Sequence, residues 1–141
     1  MKKKVLIVVS DYYKDISEAL LKSTKKYLNK KTSLNIIKVP GVFEIPVMIS
    51  KNIKKFDGFV AIGCVIKGKT PHFDLICKAT FDSILRLSTN YTKPIGNGII
   101  TALNIKQAKE RAGLIKSIKP NKGLESAKAV LAILNHGAKK I

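Results

Sequence analysis

The sequence predicts an α/β protein, a three-layer α/β/α sandwich around a central parallel sheet of about four strands. Two short runs, 4–9 and 58–66, are almost wholly apolar, which is typical of strands that are buried on both faces of a sheet. Segments with helical apolar spacing alternate with the strands, and this order implies right-handed βαβ units. At 141 residues the chain has room for one domain of ordinary size, which we expect to span 1–141.

The first half of the chain contains two predicted strands, 4–9 and 33–38, each followed by a helix. The helix over 14–29 carries apolar residues at helical spacing with lysines between them. The strand over 33–38 ends at a Pro-Gly pair, which interrupts regular structure. An apolar stripe at positions 45, 48, 49 and 53 then predicts a helix over 44–55.

The second half begins with the buried strand over 58–66. A Gly-Lys-Thr-Pro loop separates this strand from a helix predicted over about 72–89. The fourth strand, 94–100, is weakened by two glycines. Helices over 104–112 and about 122–138 close the chain.

The net charge of +18 raises the question of nucleic-acid binding. Only two of the 27 basic residues, Arg86 and Arg111, are arginines, which leaves 25 lysines. Base recognition depends on the forked donors of arginine, so the composition favours a solvated lysine-rich surface over a nucleic-acid-binding one. Steering of an anionic substrate is compatible with either interpretation.

Cys64 and Cys77 are too few for a disulfide framework, and their spacing matches no zinc signature. We therefore expect two buried, reduced thiols, no bound metal and a cytoplasmic location. No run approaches the ~20 apolar residues of a membrane span. The apolar run near the N-terminus is only five residues long and has no cleavage site after it, so a buried strand explains it better than a signal peptide.

The residues best suited to chemistry follow the carboxyl ends of the predicted strands, where open parallel sheets bind ligands. The loop at 68–72 would place free backbone N–H groups at a helix N-terminus, which suits an anion such as phosphate. His72 could exchange protons near neutral pH, Tyr12 could stack on a heterocycle, and Glu44 could bind a polyol. Plainer roles stay open: a turn in which Thr70 caps the helix, a surface histidine, a rim aromatic and a first-turn carboxylate.

Five separate segments together resemble the lumazine synthase family, whose fold is flavodoxin-like. They are VVSDYY at 8–13, VPGVFEIP at 39–46, FDGFVAIGCVIKGKTPHFD at 56–74, PIGNGIITALNIKQAKERAG at 94–113 and NKGLESAKAV at 121–130. The resemblance covers nearly the whole chain. It implies a transferase that condenses 5-amino-6-(D-ribitylamino)uracil with 3,4-dihydroxy-2-butanone 4-phosphate. The products would be 6,7-dimethyl-8-ribityllumazine, phosphate and water, in the penultimate step of riboflavin biosynthesis and without a cofactor.

The resemblance also implies roles for individual residues on the pyrimidine side of the site. In the family an aromatic ring stacks on the pyrimidine, two side chains line the ribityl pocket, a carboxylate binds the ribityl hydroxyls, and two backbone groups contact the ring. Tyr12 matches the stacking aromatic, and Val42 with Phe43 match the side chains that line the ribityl pocket. Glu44 matches the carboxylate, and Val65 with Ile66 match the residues whose backbone groups contact the ring.

On the phosphate side, the resemblance assigns Lys69 and Thr70 to the phosphate of the butanone, with help from Arg111. His72 would transfer protons, and Lys122 would belong to the same pocket. The family's sites lie between neighbouring subunits, so this chain is expected to form homo-oligomers. The segment that contains Asn97 would come from the adjacent chain.

This chain departs from the family pattern in three places. Tyr13 replaces a frequent asparagine, and Asn97 stands where many members carry a phenylalanine. The third departure is the linker between Arg111 and Asn121, which is about three residues longer than the compact form. In the family a long linker goes with free pentamers rather than closed capsids, so we expect a homopentamer or a decamer of two pentamers.

Two other functions compete with this interpretation. The archaeal type of riboflavin synthase shares the fold and part of the motif, but the full VPGVFEIP and ERAG segments favour lumazine synthase. A basic nucleic-acid-binding module would bind in a salt-sensitive way, and it would leave those motifs unexplained.

Overall fold

The computed structural model describes residues 2–137 and contains four strands and five α-helices within that range. In chain order they are β1 Lys4–Ser10, α1 Lys14–Leu28, β2 Ser33–Val39, α2 Ile45–Asn52, β3 Gly58–Ile66, α3 His72–Tyr91, β4 Ile95–Ala102, α4 Ile105–Arg111 and α5 Lys122–Asn135. A single 3₁₀ turn, Val42–Glu44, precedes α2. The predicted order of strands and helices is therefore confirmed.

All strands run parallel in one sheet, in the order β2-β1-β3-β4. Side chains alternate across β1, so Val5 and Ile7 belong to one apolar cluster while Leu6 and Val8 belong to another. The first cluster includes residues of α1 and α5, and the second includes residues of α2 and α3. Helices therefore cover both faces of the sheet, which confirms the predicted three-layer α/β/α sandwich of the flavodoxin-like type.

Several helix boundaries differ from the prediction. Helix α2 starts at Ile45, because Glu44 ends the preceding 3₁₀ turn and Pro46 fits the first helical turn. Helix α3 continues to Tyr91 and stops where Thr92 adopts a left-handed conformation with φ of 52°. Helix α5 ends at Asn135, so His136 follows the helix instead of lying within it, and the predicted end at 138 falls outside the described residues.

The prediction of two buried thiols is half wrong. Cys64 lies on β3 and is buried, but Cys77 lies on α3 and is only half-buried. Both thiols are free of disulfide bonds. Across residues 2–137, no helix is both long enough and apolar enough to cross a membrane.

Candidate active site

A cavity of about 380 Å³ opens at the carboxyl ends of β1 and β3. Three separate segments surround it: the turn after β1, the 3₁₀ turn after β2, and the last residues of β3 together with the first turn of α3. Six residues predicted for the site line this cavity, namely Tyr12, Val42, Phe43, Val65, Ile66 and His72. The structure thus brings together positions that lie up to sixty residues apart in the sequence.

The turn between β1 and α1 is held from both sides by Ser17. The backbone N–H of Ser17 donates to the carbonyl of Tyr13 at 2.9 Å, and its hydroxyl donates to the carbonyl of Ser10. Tyr12 projects from this turn with 75% of its surface exposed, and its ring meets the ring of Tyr13 in a T-shaped arrangement. The ring centroids are 5.0 Å apart and the planes are inclined by 78°. An exposed, oriented aromatic ring is suited to stacking on a flat ligand.

The second wall depends on a close approach between Val42 and β3. Gly63 faces Val42, and a Cβ added at Gly63 would lie 2.8 Å from Val42 Cγ2. Only glycine allows the 3₁₀ turn to come this near to the strand. Val42 is buried as a result, whereas its neighbour Phe43 keeps 63% of its surface exposed at the cavity rim.

The third wall begins at the end of β3 and continues into α3. The backbone N–H of Lys67 still bonds the carbonyl of Ala102 on β4 at 2.9 Å, after which residues 67–72 are exposed. Helix α3 begins at His72, and no side chain caps its N-terminus. The alternative in which Thr70 caps the helix is therefore wrong. The uncapped first-turn N–H groups stay available to an anion, as the prediction for this loop requires.

Glu44 lies outside this cavity and lines a neighbouring groove of about 470 Å³. The groove runs between α2 and α3 and shares Phe43 with the cavity, so the two depressions are adjacent. The backbone N–H of Glu44 donates to the carbonyl of Gly41 at 3.2 Å, which closes the 3₁₀ turn. A Cβ added at Gly41 would come within 3.0 Å of Glu44 Oε1.

The remaining predicted residues do not line the cavity of their own chain. Lys69 and Thr70 are exposed in the loop before α3. Arg111 and Lys122 gather around the carboxylate of Glu125 at the start of α5, at 3.6 Å for Arg111 Nη2 and 3.3 Å for Lys122 Nζ. Asn97 lies on the edge strand β4, where its Oδ1 accepts from the backbone N–H of Ile99 at 3.1 Å.

Five residues that had no assigned substrate contact also line the cavity: Ser10, Tyr13, Gly41, Cys64 and Ile76. Ile76 could have been expected from its position one helical turn after His72. Cys64 directly precedes Val65 on β3, but its side chain points into the core cluster on the opposite side from Val65. Nothing in the sequence pattern distinguishes Ser10 from an ordinary strand-end residue.

Burial makes two groups in the cavity wall, the Cys64 thiol and the Tyr13 phenol, harder to ionise. It raises the pKa of the Cys64 thiol to about 12. Burial also raises the pKa of the Tyr13 phenol, with smaller contributions from Cys64 and Tyr12. Both groups stay protonated at neutral pH, as they would be at their ordinary pKa values, and the raised pKa makes Cys64 a poor nucleophile. Across residues 2–137, no group of three or more histidine, cysteine or acidic side chains is arranged to hold a metal ion.

Comparison with known proteins agrees with this geometry. The family model described as 6,7-dimethyl-8-ribityllumazine synthase matches residues 2–137. A protein of that name from Bartonella tribocorum is 41% identical over 140 residues, covering 95% of this chain and 91% of the relative. One from Campylobacter jejuni is 37% identical over 138 residues, covering 94% and 88%. One from Ruthia magnifica is 35% identical over 144 residues, covering 94% and 84%. With a match of this extent over the cavity-forming segments, the chain belongs to the 6,7-dimethyl-8-ribityllumazine synthase family.

Proposed function

We propose that this chain condenses 5-amino-6-(D-ribitylamino)uracil with 3,4-dihydroxy-2-butanone 4-phosphate to form 6,7-dimethyl-8-ribityllumazine. The observation that carries the proposal is the convergence of Tyr12, Phe43 and His72 on one cavity in a member of this family. A ring-stacking surface, an apolar wall and a proton-transfer group are what a condensation on a heterocyclic amine needs.

The reaction depends more on holding the two substrates together than on a strong acid, base or nucleophile in the protein. The 5-amino group attacks the ketone, and water leaves as the imine forms. Loss of a carbon-bound proton and of phosphate then gives an enol, whose keto form is attacked by the ribitylamino nitrogen; a second water leaves as the ring closes. Holding both partners in place removes much of the entropic barrier to such a sequence.

The pyrimidine side of the proposed site uses the residues around the cavity. Tyr12 stacks on the ring, while the backbone groups of Val65 and Ile66 contact its edge. The ribityl chain runs past Val42 and Phe43 toward Glu44, whose groove adjoins the cavity at Phe43. This shared side chain supports a ligand that extends from one depression into the other.

The phosphate side uses the exposed loop before α3. Lys69 and Thr70 lie beside the uncapped N-terminus of α3, where the helix dipole and free N–H groups favour an anion. His72 opens the same helix and lines the cavity, so a proton can pass between its imidazole and a substrate bound near the phosphate. Arg111 and Lys122 add positive charge to the phosphate subsite.

A second copy of the chain completes this site in our proposal. Asn97, Arg111 and Lys122 do not line the cavity of their own chain, which supports their being supplied by a neighbour. Large apolar side chains are also exposed around the site, namely Tyr12, Phe43, Val47 and Leu75. An apolar rim of this kind marks a contact surface. We propose a homopentamer or a decamer of single-domain chains, in the cytoplasm, where both free thiols stay reduced.

Incubation with both substrates tests the proposal, because the lumazine product is fluorescent. Neither an enzyme that catalyses a different reaction nor a nucleic-acid-binding protein would form it from these substrates. We expect His72→Ala to lower kcat by about 10²–10⁴-fold, the usual contribution of a positioned proton-transfer group. His136→Ala is the matched control, since His136 is exposed beyond the end of α5 and should not affect the rate. Absence of lumazine formation by the wild-type protein would refute the proposal.

A further inference from the structure

We propose that Tyr13 is a specificity-determining residue for the heterocyclic substrate. Its hydroxyl hydrogen-bonds to the polar edge of the ring, and its aromatic ring holds Tyr12 in the orientation for stacking. The inference rests on the proposed function, which supplies a flat heterocycle with carbonyl and N–H groups at its edge.

The backbone of Tyr13 is fixed before any ligand arrives. Tyr13 is the residue that immediately precedes α1, and its carbonyl accepts the first helical hydrogen bond from Ser17. The side chain packs against the core cluster that includes Ile16 and Cys64, yet it remains half-buried and lines the cavity. One side of the ring is therefore supported by the core while another is open to a ligand.

The T-shaped contact with Tyr12 gives Tyr13 a second role. Aromatic rings 5.0 Å apart and inclined by 78° attract one another through the positive edge of one ring and the negative face of the other. Because Tyr12 is largely exposed, few other contacts restrict its ring. The contact therefore restricts the Tyr12 ring before a ligand binds, so the ring loses less conformational entropy when it stacks on the ligand.

The chemistry of the phenol suits the edge of a pyrimidinedione. Burial, Cys64 and Tyr12 together raise the pKa of Tyr13, and no hydrogen bond within the described residues contributes to the shift. Like any tyrosine at neutral pH, Tyr13 carries a protonated hydroxyl that can both donate and accept, and the raised pKa moves its ionisation further away. Ser10 also lines this cavity, and its buried hydroxyl lacks a hydrogen-bond partner in the described part of the chain.

Tyr13→Phe provides the direct test, because it removes the hydroxyl and keeps the ring. We expect the KM for 5-amino-6-(D-ribitylamino)uracil to rise about three- to tenfold, the usual effect of one lost hydrogen bond, while the KM for the butanone phosphate stays constant. Tyr13→Leu removes the ring as well and should raise the KM for the pyrimidine by a further few-fold. Tyr91→Phe is the matched control, since it removes a phenol hydroxyl at the far end of α3, away from the cavity.

A binding measurement separates this inference from the proposed function. The affinity for 6,7-dimethyl-8-ribityllumazine can be measured by fluorescence anisotropy without turnover, and we expect Tyr13→Phe to weaken it to the same degree as the KM. Circular dichroism and thermal unfolding confirm that each variant is folded. If the wild-type protein is active but Tyr13→Phe changes neither the KM for the pyrimidine nor the affinity for lumazine, the inference is wrong and the proposed function stands. An equal rise in the KM of both substrates would have the same consequence. A wild-type protein that neither forms nor binds lumazine overturns the proposed function as well.

Discussion

Arg111 and Glu125 form an ion pair across the start of α5, with Nη2 of the arginine 3.6 Å from Oε1 of the glutamate. The same oxygen lies 3.3 Å from Lys122 Nζ, so one carboxylate serves two cations and one positive charge is left uncompensated. The Nε–H of Arg111 donates to the carbonyl of Pro120 at 2.9 Å, which ties the guanidinium to the linker before α5. The arginine is thus oriented in advance, and an incoming phosphate would meet a net positive charge.

Replacement of Arg111 by alanine should separate the two substrates kinetically. If Arg111 binds the phosphate, we expect the KM for the butanone phosphate to rise about 10- to 100-fold, as for the loss of a charged hydrogen bond. The KM for the pyrimidine should change by less than about threefold, because that substrate carries no phosphate. Steady-state kinetics with each substrate varied in turn gives both values.

Lys106→Ala is the matched control for this experiment, since Lys106 is an exposed cation on the same helix α4. It removes one positive charge without removing a predicted phosphate contact. Similar increases in both KM values for Arg111→Ala, or the same effect from Lys106→Ala, would count against the assignment of Arg111.

Alkaline pH should destabilise the protein through Cys64. Burial raises the pKa of this thiol from its ordinary value of 9.0 to about 12. Below pH 9 the thiol is protonated in both the folded and the unfolded chain, so its contribution to stability is constant. Between about pH 9 and pH 12 only the unfolded chain ionises, and folding stability is lost as the pH rises. The loss is on the order of 2 kcal/mol at pH 10.5.

Urea unfolding at pH 8 and pH 10.5, at one protein concentration, measures this loss. Between the two pH values the free energy of unfolding of Cys64→Ala should fall by about 2 kcal/mol less than that of the wild type, because the variant lacks the thiol. The titration of the lysines is common to both proteins and cancels in this comparison. Cys77→Ala is the control, since that thiol is only half-buried and its removal should leave most of the alkaline loss in place. Identical pH dependence in wild type and Cys64→Ala would contradict the prediction.

Much of the fold could be predicted because hydrophobic periodicity reports directly on burial. The run Val5 to Val9 is almost fully buried on both sides of β1, and such a run is typical of a strand in the interior of a parallel sheet. Helix ends were less predictable, because they depend on local geometry. Thr92 ends α3 by adopting a left-handed conformation that its residue type does not favour.

The candidate site could be predicted only in part, and mostly through family resemblance. The spacing of residues indicates which side chains follow a strand, and so it placed Tyr12 and His72 at one edge of the sheet. Spacing does not indicate how loops fold back, so it gave no sign that Glu44 would face the neighbouring groove. Spacing likewise gave no sign that Arg111 would pair with Glu125 and stay outside the cavity of its own chain.

Gly63→Ala should damage the pyrimidine side of the cavity. The added Cβ would lie 2.8 Å from Val42 Cγ2, so the 3₁₀ turn must move, at a cost of about 1–3 kcal/mol in the free energy of unfolding. The double variant Gly63→Ala with Val42→Ala should cost less than the two single changes added together, because it removes the colliding methyl group. Gly68→Ala is the control, since a Cβ there meets nothing within 4 Å. Strict additivity of the two changes in urea unfolding would refute the steric explanation.

The linker between α4 and α5 leads to a prediction about assembly. Its two ends are joined by Asn121, whose Nδ2 donates to the carbonyl of Ala112 at 3.2 Å and to Ser23 Oγ at 3.0 Å. Between these anchors the longer linker exposes Leu114, Ile115 and Ile118, the last one completely. The homopentamer or decamer that we propose requires this exposed linker to keep pentamers from closing into a capsid. Light scattering should therefore give about five or ten times the 15.5-kDa chain mass, and a particle of roughly one megadalton would contradict this expectation.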